Sequence, residues 1–341
     1  MPISTINTNS IADDAVTVPK VTDQVLTHRN LIINGAMQVA QRGTSGTLVG
    51  GPGYVSLDRW RFYVDTSTTL TISQQSFSPG QTSVDKNLEY FMRFDWLGTG
   101  ANQTKTMSQR IEGVNWGQGQ PMTLSFYGLS QQADDVTIKV IQNFGSGGSA
   151  SVIAEESVID LTTSWNRYSL TFDMPSIAGK TVGTSPYIIV EFNFGPATLD
   201  SYFDITGVQM EVGDTATPFE HRSFGDELAL CQRYLYSATN SDTGYIASFW
   251  QYDGNSNLNA FLKFPTTMRT EPTLVHNASN SGYFVGYGAG QGLSWTTLTL
   301  NSQTLDSAMI FNNQFNAYGS GTAGGLYVGS SAAYLWMDAE I

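Results

Sequence analysis

The sequence predicts an all-β protein: an extended N-terminal arm, an antiparallel β-sandwich of the jelly-roll type, a short connecting helix, and a second, C-terminal β-sandwich domain. Apolar residues recur with period two in short runs broken by Gly-, Asn- and Ser-rich turns, the pattern of half-buried strands. Helical spacing stands out only around residues 223–235. A length of 341 residues accommodates two domains, each large enough to bury a core without staples.

Residues 1–28 carry isolated β-branched residues among small polar ones and no aromatic. Alone they bury too little surface to offset the entropy of ordering. The segment reads either as an arm that orders on a partner, reaching about 90 Å when extended, or as a disordered tail. Residues 29–50 form a lead-in segment. In it Leu31, Ile32, Ile33, Met37 and Val39 cluster around an Asn34-Gly35 turn signal, and the Gly-rich run from Gly43 to Gly53 reads as a loop.

The jelly roll is expected over residues 51–217, with about eight strands. It starts where Trp60 and Phe62 point one way and continues at Thr69–Ser73, Tyr90–Trp96, Thr123–Tyr127, Val136–Val140, Tyr168–Met174, Tyr187–Phe194 and Phe203–Met210. In the last of these the apolar phase slips from Phe203 and Ile205 to Val208 and Met210, which predicts a bulge near Gly207 and a strand end near Gly213.

Residues 218–236 form a turn and the connecting helix. Ser223 and Asp226 have capping-box spacing. Phe224, Leu228, Cys231 and Leu235 recur at helical intervals, so this stripe is expected to form the interdomain joint, with Cys231 a buried thiol. The C-terminal β domain, 237–341, has candidate strands at Tyr245–Trp250, Leu258–Phe264, Thr273–His276, Trp295–Leu300, Ala308–Phe311 and Ala333–Met337. Gly286–Gly292 and Gly319–Gly325 read as loops.

A net charge of -13 speaks against nucleic acid, because neutralising phosphates requires clustered Lys and Arg. One Cys permits no intramolecular disulfide, and three His leave little imidazole chemistry. The N-terminus lacks the regions of a secretory signal and no apolar run approaches a membrane span, so cytoplasmic synthesis without membrane insertion is expected. Asp13-Asp14, Asp134-Asp135 and Glu155-Glu156 are adjacent pairs, which a strand sends to opposite faces. No nucleophile-elbow, phosphate-loop or zinc-protease signature is present. No catalytic residue, cofactor or metal site is therefore expected.

The surface composition, low in charge and rich in hydroxyls and amides, suits contact with neutral polar surfaces such as glycans and is equally common on stable extracellular β-proteins. A ring face packs against sugar C–H groups while amides hydrogen-bond hydroxyls. The candidate glycan contacts are Trp116 in NWGQGQP, Trp250 and Tyr252 in FWQYDGNSN, and Tyr283 and Tyr287 in GYFVGYG. Each alternatively packs in a core or between subunits.

Several phrases, in order, carry a resemblance: TNSIADDAVTVPKV in the arm, NLIINGAMQVAQRGTS at Asn30–Ser45, GVQMEVGDTATPFEHRSFGDELALCQRYLY at Gly207–Tyr236, KFPTTMRTEPT at Lys263–Thr273, and the final YLWMDAEI. Together they resemble the tail fibres and receptor-binding proteins of tailed bacteriophages that contain a carbohydrate-binding-module-like jelly roll. The resemblance implies a homotrimeric virion protein whose arm, through Ile6, Ile11, Val16 and Val18, anchors to other virion proteins. Its β-domains then meet the host surface, where a glycan is the expected partner. The alternative is a structural collar, tail or capsid fibre protein that makes protein contacts without binding glycan. A structural calcium ion is a further feature of such jelly rolls; Asp58 and Asp204, near the first and last jelly-roll strands, could be neighbours, but each reads first as a strand-end polar residue, and no site is assigned. The chain departs from long fibres in having no coiled-coil or β-helical shaft between Thr27 and Trp60.

Overall fold

The computed structural model describes residues 28–96, 104–195, 200–239, 243–251, 258–278, 283–288, 291–312 and 322–341. The arm residues Ile6, Ile11, Val16 and Val18, and Tyr252, lie outside them. Ten strands form the first β region: β1 (Ser45–Gly53), β2 (Arg61–Ser76), β3 (Tyr90–Trp96), β4 (Lys105–Glu112), β5 (Pro121–Ser130), β6 (Asp135–Asn143), β7 (Val152–Asp160), β8 (Asn166–Asp173), β9 (Tyr187–Asn193) and β10 (Ser201–Val212). They are hydrogen-bonded in the order β7-β6-β9-β4-β2-β3-β10-β5-β8, with β1 paired to β2.

The long β2 is the corner of this ladder. Its first residues, Arg61–Val64, pair with β4, and its last, Leu70–Ser76, pair with β3. One continuous antiparallel ladder is thereby folded into two facing layers, a jelly-roll-like sandwich. Alternate residues turn inward. Trp60, Phe62, Phe94, Phe126, Phe192 and Phe203 are completely enclosed, with Phe126 edge-on to Phe192 at 5.2 Å. Ile32, Met37 and Leu48 of the lead-in segment share this core.

The run from Gly43 to Gly53 is a strand rather than the expected loop. From Ser45 onward β1 pairs with β2, with a register shift between Val49 and Gly51. Gly46 is there for close approach, since a Cβ on it would lie 2.1 Å from the Val55 carbonyl oxygen. The sequence also does not announce β4 and β7. In β4 the buried positions include Lys105, Ser108 and Gln109, which hides the alternation, and β7 leaves Ile153 and Val158 exposed. In β10 the bulge falls where the phase slip placed it: Gly207 has φ +60, and the register against β5 shifts between Thr206 and Gln209.

Helix α1 spans Phe224–Gln232. The Ser223 hydroxyl accepts the Asp226 backbone N–H at 3.2 Å and donates to the Asp226 carboxylate at 2.6 Å, the predicted capping pair. The predicted joint stripe is corrected. Cys231 is buried, but Phe224 is 55% exposed, Leu228 is half-buried, and Leu235 belongs to the following strand. Buried Glu227 replaces Phe224 on the inward face, because its carboxylate accepts the Asn34 backbone N–H at 2.5 Å and pairs with Arg222 at 3.4 Å.

The second β region contains β11 (Leu235–Ser237), β12 (Gly244–Gln251), β13 (Leu258–Lys263), β14 (Thr273–His276), β15 (Phe284–Gly288), β16 (Gln291–Ser294), β17 (Thr299–Gln303), β18 (Ser307–Asn312), β19 (Ala323–Val328) and β20 (Leu335–Asp338). A seven-stranded sheet, β16-β15-β19-β12-β13-β18-β17, faces a three-stranded one, β11-β20-β14. Phe249, Trp295, Leu326, Leu335 and Met337 lie in the core between them. Strands β15, β16 and β19 occupy stretches expected to be loops. Gly286 and Gly324 are strand residues whose missing side chains make room for the core: a Cβ on Gly286 would meet the Trp295 indole at 2.3 Å. Trp295 itself is buried but precedes β17, whose pairing starts at Thr299.

Candidate functional site

The β4–β5 loop presents Trp116. Its ring is 47% exposed, and Asn115, Gln118 and Gln120 beside it are exposed as well. The loop is fastened at several points. Gly113 N–H donates to Pro186 O at 2.9 Å, Gly119 N–H to Met174 O at 2.8 Å, and Gln120 N–H to Gly117 O at 2.9 Å, while Val114 is buried. Gly117, at φ +61, lies against Met122, so no side chain fits there. The Trp116 indole N–H donates to Glu112 O at 3.0 Å. The ring therefore offers apolar surface alone, and the neighbouring amides supply donors and acceptors. Burial disfavours the charged form of Glu112, but hydrogen bonds from Arg233, at 3.2 and 3.0 Å, outweigh it and hold the carboxyl below its ordinary value.

The other aromatics nominated by sequence lie in the second β region. Trp250 (38% exposed) and Tyr287 (43%) stand on the outer face of the seven-stranded sheet, whereas Tyr283 is half-buried against the core beneath it. Tyr287 has two partners that sequence reading missed. Tyr245 and Tyr327 meet it edge-on, with centroids 6.2 Å (Tyr245–Tyr287), 5.2 Å (Tyr245–Tyr327) and 5.6 Å (Tyr287–Tyr327) apart. Tyr245 lies across Gly325, and Tyr287 across Gly292, each ring covering a glycine of the next strand. Only the strand order β15-β19-β12 brings the three together. Period two in the run from Tyr245 was the one signal available.

Between the two regions lies a buried charge network. Arg59, enclosed, donates to Glu340 and, at 2.6 Å, to the Arg110 carbonyl, with its guanidinium 3.4 Å above the Tyr234 ring. Arg42 pairs with Asp338 at 3.0 Å and Glu340 at 3.5 Å. Arg110 donates to Ile341 O at 2.5 Å, and Gln41 donates to Leu235 O at 2.7 Å. The joint is thus made by the residues after β20 clamped to the first sandwich. Burial pushes the Cys231 thiol well up, which keeps it protonated and inert.

Asp58 lies in this network. Burial raises its carboxyl from 3.8 to about 6, against the pull of Arg42 and two hydrogen bonds from Gln41. With the folded value above the unfolded one, the folded chain keeps a proton that the unfolded chain has lost between about pH 4 and pH 6. Stability from this group is full below that window and is lost as pH rises through it, by about 3 kcal/mol. Asp58→Asn is expected to flatten this part of the profile, read as the urea midpoint from pH 4 to 7. An unchanged slope would assign the titration to another group.

Asp58 and Asp204 are not brought together as calcium ligands. Asp58 is held by Gln41 and Arg42, and Asp204 takes both prongs of Arg93, at 2.8 and 2.7 Å. Each carboxylate is already engaged by hydrogen bonds from its own chain. Among the described residues no group of three or more His, Cys, Asp or Glu is placed to hold a metal ion.

No family model and no curated protein matches the sequence. Among solved structures, the chain is similar to a family 4 carbohydrate-binding module at 12% identity and a TM-score of 0.32, covering 53% of this chain and 98% of that one. It is similar to a family 11 carbohydrate-binding module of a Clostridium thermocellum cellulase at 14% identity and a TM-score of 0.31, covering 49% and 97%. The enzymatically active domain of tailspike protein 4 of bacteriophage CBA120 matches at 14% identity and a TM-score of 0.35, covering 54% of this chain and 21% of that one. At such values nothing about ligand or activity passes from these proteins to this chain.

Proposed function

We propose that the chain is a fibre subunit of a tailed-bacteriophage virion. In this reading residues 1–28 anchor it to other virion proteins, it assembles as a homotrimer in the host cytoplasm, and it binds a host-surface glycan without catalysis or cofactor. The ordered phrases of the sequence support the virion role. The Trp116 loop carries the glycan part: a fastened, half-exposed indole surrounded by the exposed amides of Asn115, Gln118 and Gln120 has the chemistry for stacking on a sugar and bonding its hydroxyls.

Glycan-array binding of the wild-type protein tests this directly. Trp116→Ala is expected to weaken retention at least about tenfold, the equivalent of about 1.4 kcal/mol, with the circular dichroism spectrum unchanged. A wild-type protein that retains no glycan would leave the second reading, a structural collar, tail or capsid fibre protein. The exposed Tyr245, Trp250, Phe261 and Tyr287 of the C-terminal region favour protein contacts of that kind.

A further inference from the structure

We propose that the crevice where the lead-in segment meets the three-stranded sheet is a further binding site, one that takes a single neutral sugar ring. It is separate from the Trp116 loop and does not depend on it. Strand register builds one wall: Ser237 stands opposite Trp336 in the β11–β20 pairing, and Thr239 and Tyr334, each two residues along the chain from one of these, line the same crevice. Gln41 and Arg42 close it from the first sandwich. Ala332 lies on its exposed rim, in a turn that Asn277 fastens by donating to Ala332 O at 2.8 Å and accepting from Tyr334 N–H at 2.9 Å.

Two observations point to a ligand of this chemistry. Ser237 and Thr239 are 2 and 5% exposed, and among the described residues neither side-chain hydroxyl has a hydrogen-bond partner. Buried hydroxyls are ordinarily bonded, and these two line a crevice through which a partner can enter. Beside them the Tyr334 ring lies on Trp336, with centroids 4.3 Å apart and planes at 21°, as an aromatic wall. Unspent hydroxyls next to aromatic carbon match a sugar, whose hydroxyls both donate and accept while its C–H groups pack on rings.

Charge and size narrow the class. Arg42 is the only charged side chain among the described residues that line the crevice. Its guanidinium pairs with Asp338 at 3.0 Å and Glu340 at 3.5 Å, so its charge is met within the protein and does not call for an anion. The volume is about 270 Å³, just below the range of about 300–1,000 Å³ that holds drug-sized ligands. One ring fits such a space; a polypeptide segment does not.

The test is saturation-transfer NMR on the full chain with the methyl glycosides of glucose, galactose, mannose and N-acetylglucosamine, and with glucuronate as the anionic comparison. It is run in a Trp116→Ala background, so that the exposed indole contributes nothing. At least one neutral glycoside is expected to bind, glucuronate more weakly. Thr239→Val, which keeps the side chain's shape and removes an unpartnered hydroxyl, is expected to weaken that binding about tenfold without lowering the urea midpoint. Ala332→Trp, which fills the rim, should abolish it and decides the matter if Thr239→Val does not fold. Neutral-sugar binding by wild type that disappears in Trp116→Ala would overturn this site and leave the Trp116 reading standing. Binding that survives Trp116→Ala but is unchanged in Thr239→Val and Ala332→Trp would place the sugar elsewhere and overturn it, as would preference for glucuronate or binding of no sugar at all.

Discussion

Glu340→Ala is expected to destabilise the protein by about 3–5 kcal/mol, seen as a lower urea midpoint. The carboxylate is 5% exposed and faces two guanidinium groups that are each 1% exposed, Arg59 and Arg42. Removing one partner of a buried ion set leaves the others charged and out of water, which costs more than the pair ever contributed. Arg59 would keep the Arg110 carbonyl and the Tyr234 ring, neither of which neutralises it. Arg42 would keep Asp338. Glu340→Gln should lose less, because an amide oxygen can still accept from Arg59. The contrast is Glu156→Ala, which breaks an exposed 2.9 Å pair with Lys139 and should change stability by less than about 1 kcal/mol. Because the same residues clamp the end of the chain to the first sandwich, fluorescence and circular dichroism transitions should separate in Glu340→Ala as the two β regions uncouple. Equal midpoints for Glu340→Ala and Glu156→Ala would remove the network as the source of the joint's strength.

What the sequence made legible follows from whether a residue's role is set locally. Strands β3, β6 and β9 were readable because their alternation is unbroken and the inward residues are plainly apolar. In β4 the inward-turned Gln109 serves the lead-in segment: its amide donates to Ile33 O and accepts from Ile33 N, both at 2.8 Å, so polar residues fill core positions and the period disappears. Strands β15 and β19 were hidden because their glycines exist to admit Trp295 and Phe249 from elsewhere in the chain. The helix was visible, with its cap, but not its buried face. The inward turn of Glu227 depends on Asn34, far away in sequence. The same division runs through the site. Trp116 could be nominated because its own loop supplies the glycines and amides, whereas the Tyr245–Tyr287–Tyr327 cluster exists only after distant strands pair.

Gly35→Ala is expected to destabilise by about 3 kcal/mol or more, the upper end for an overpacked site. The reason lies in how two of the phrases noted in the sequence, Asn30–Ser45 and Gly207–Tyr236, fit together. Leu31 N–H donates to Met210 O at 2.9 Å, and Val208 N–H to Gly35 O at 3.0 Å. The Asn30 side chain donates to Val208 O and accepts from Met210 N–H, both at 3.1 Å. A Cβ on Gly35 would sit 2.1 Å from that Val208 carbonyl oxygen, which is backbone of a central strand and already in use. Nor can the turn yield easily. Asn34 holds a left-handed φ of +59 by accepting from Val39 N–H at 2.9 Å and donating to Val39 O at 2.8 Å and Asp58 O at 3.0 Å. Gly225→Ala is the matched comparison, since nothing lies within 4 Å of the added carbon and the position is helical; it should be neutral or stabilise by up to about 1 kcal/mol. The two substitutions add the same methyl group, so the difference between their urea midpoints isolates what lies beyond it. A Gly35→Ala protein as stable as Gly225→Ala would mean that β10 shifts freely there, and close approach would then not be why the lead-in segment carries a glycine at that point.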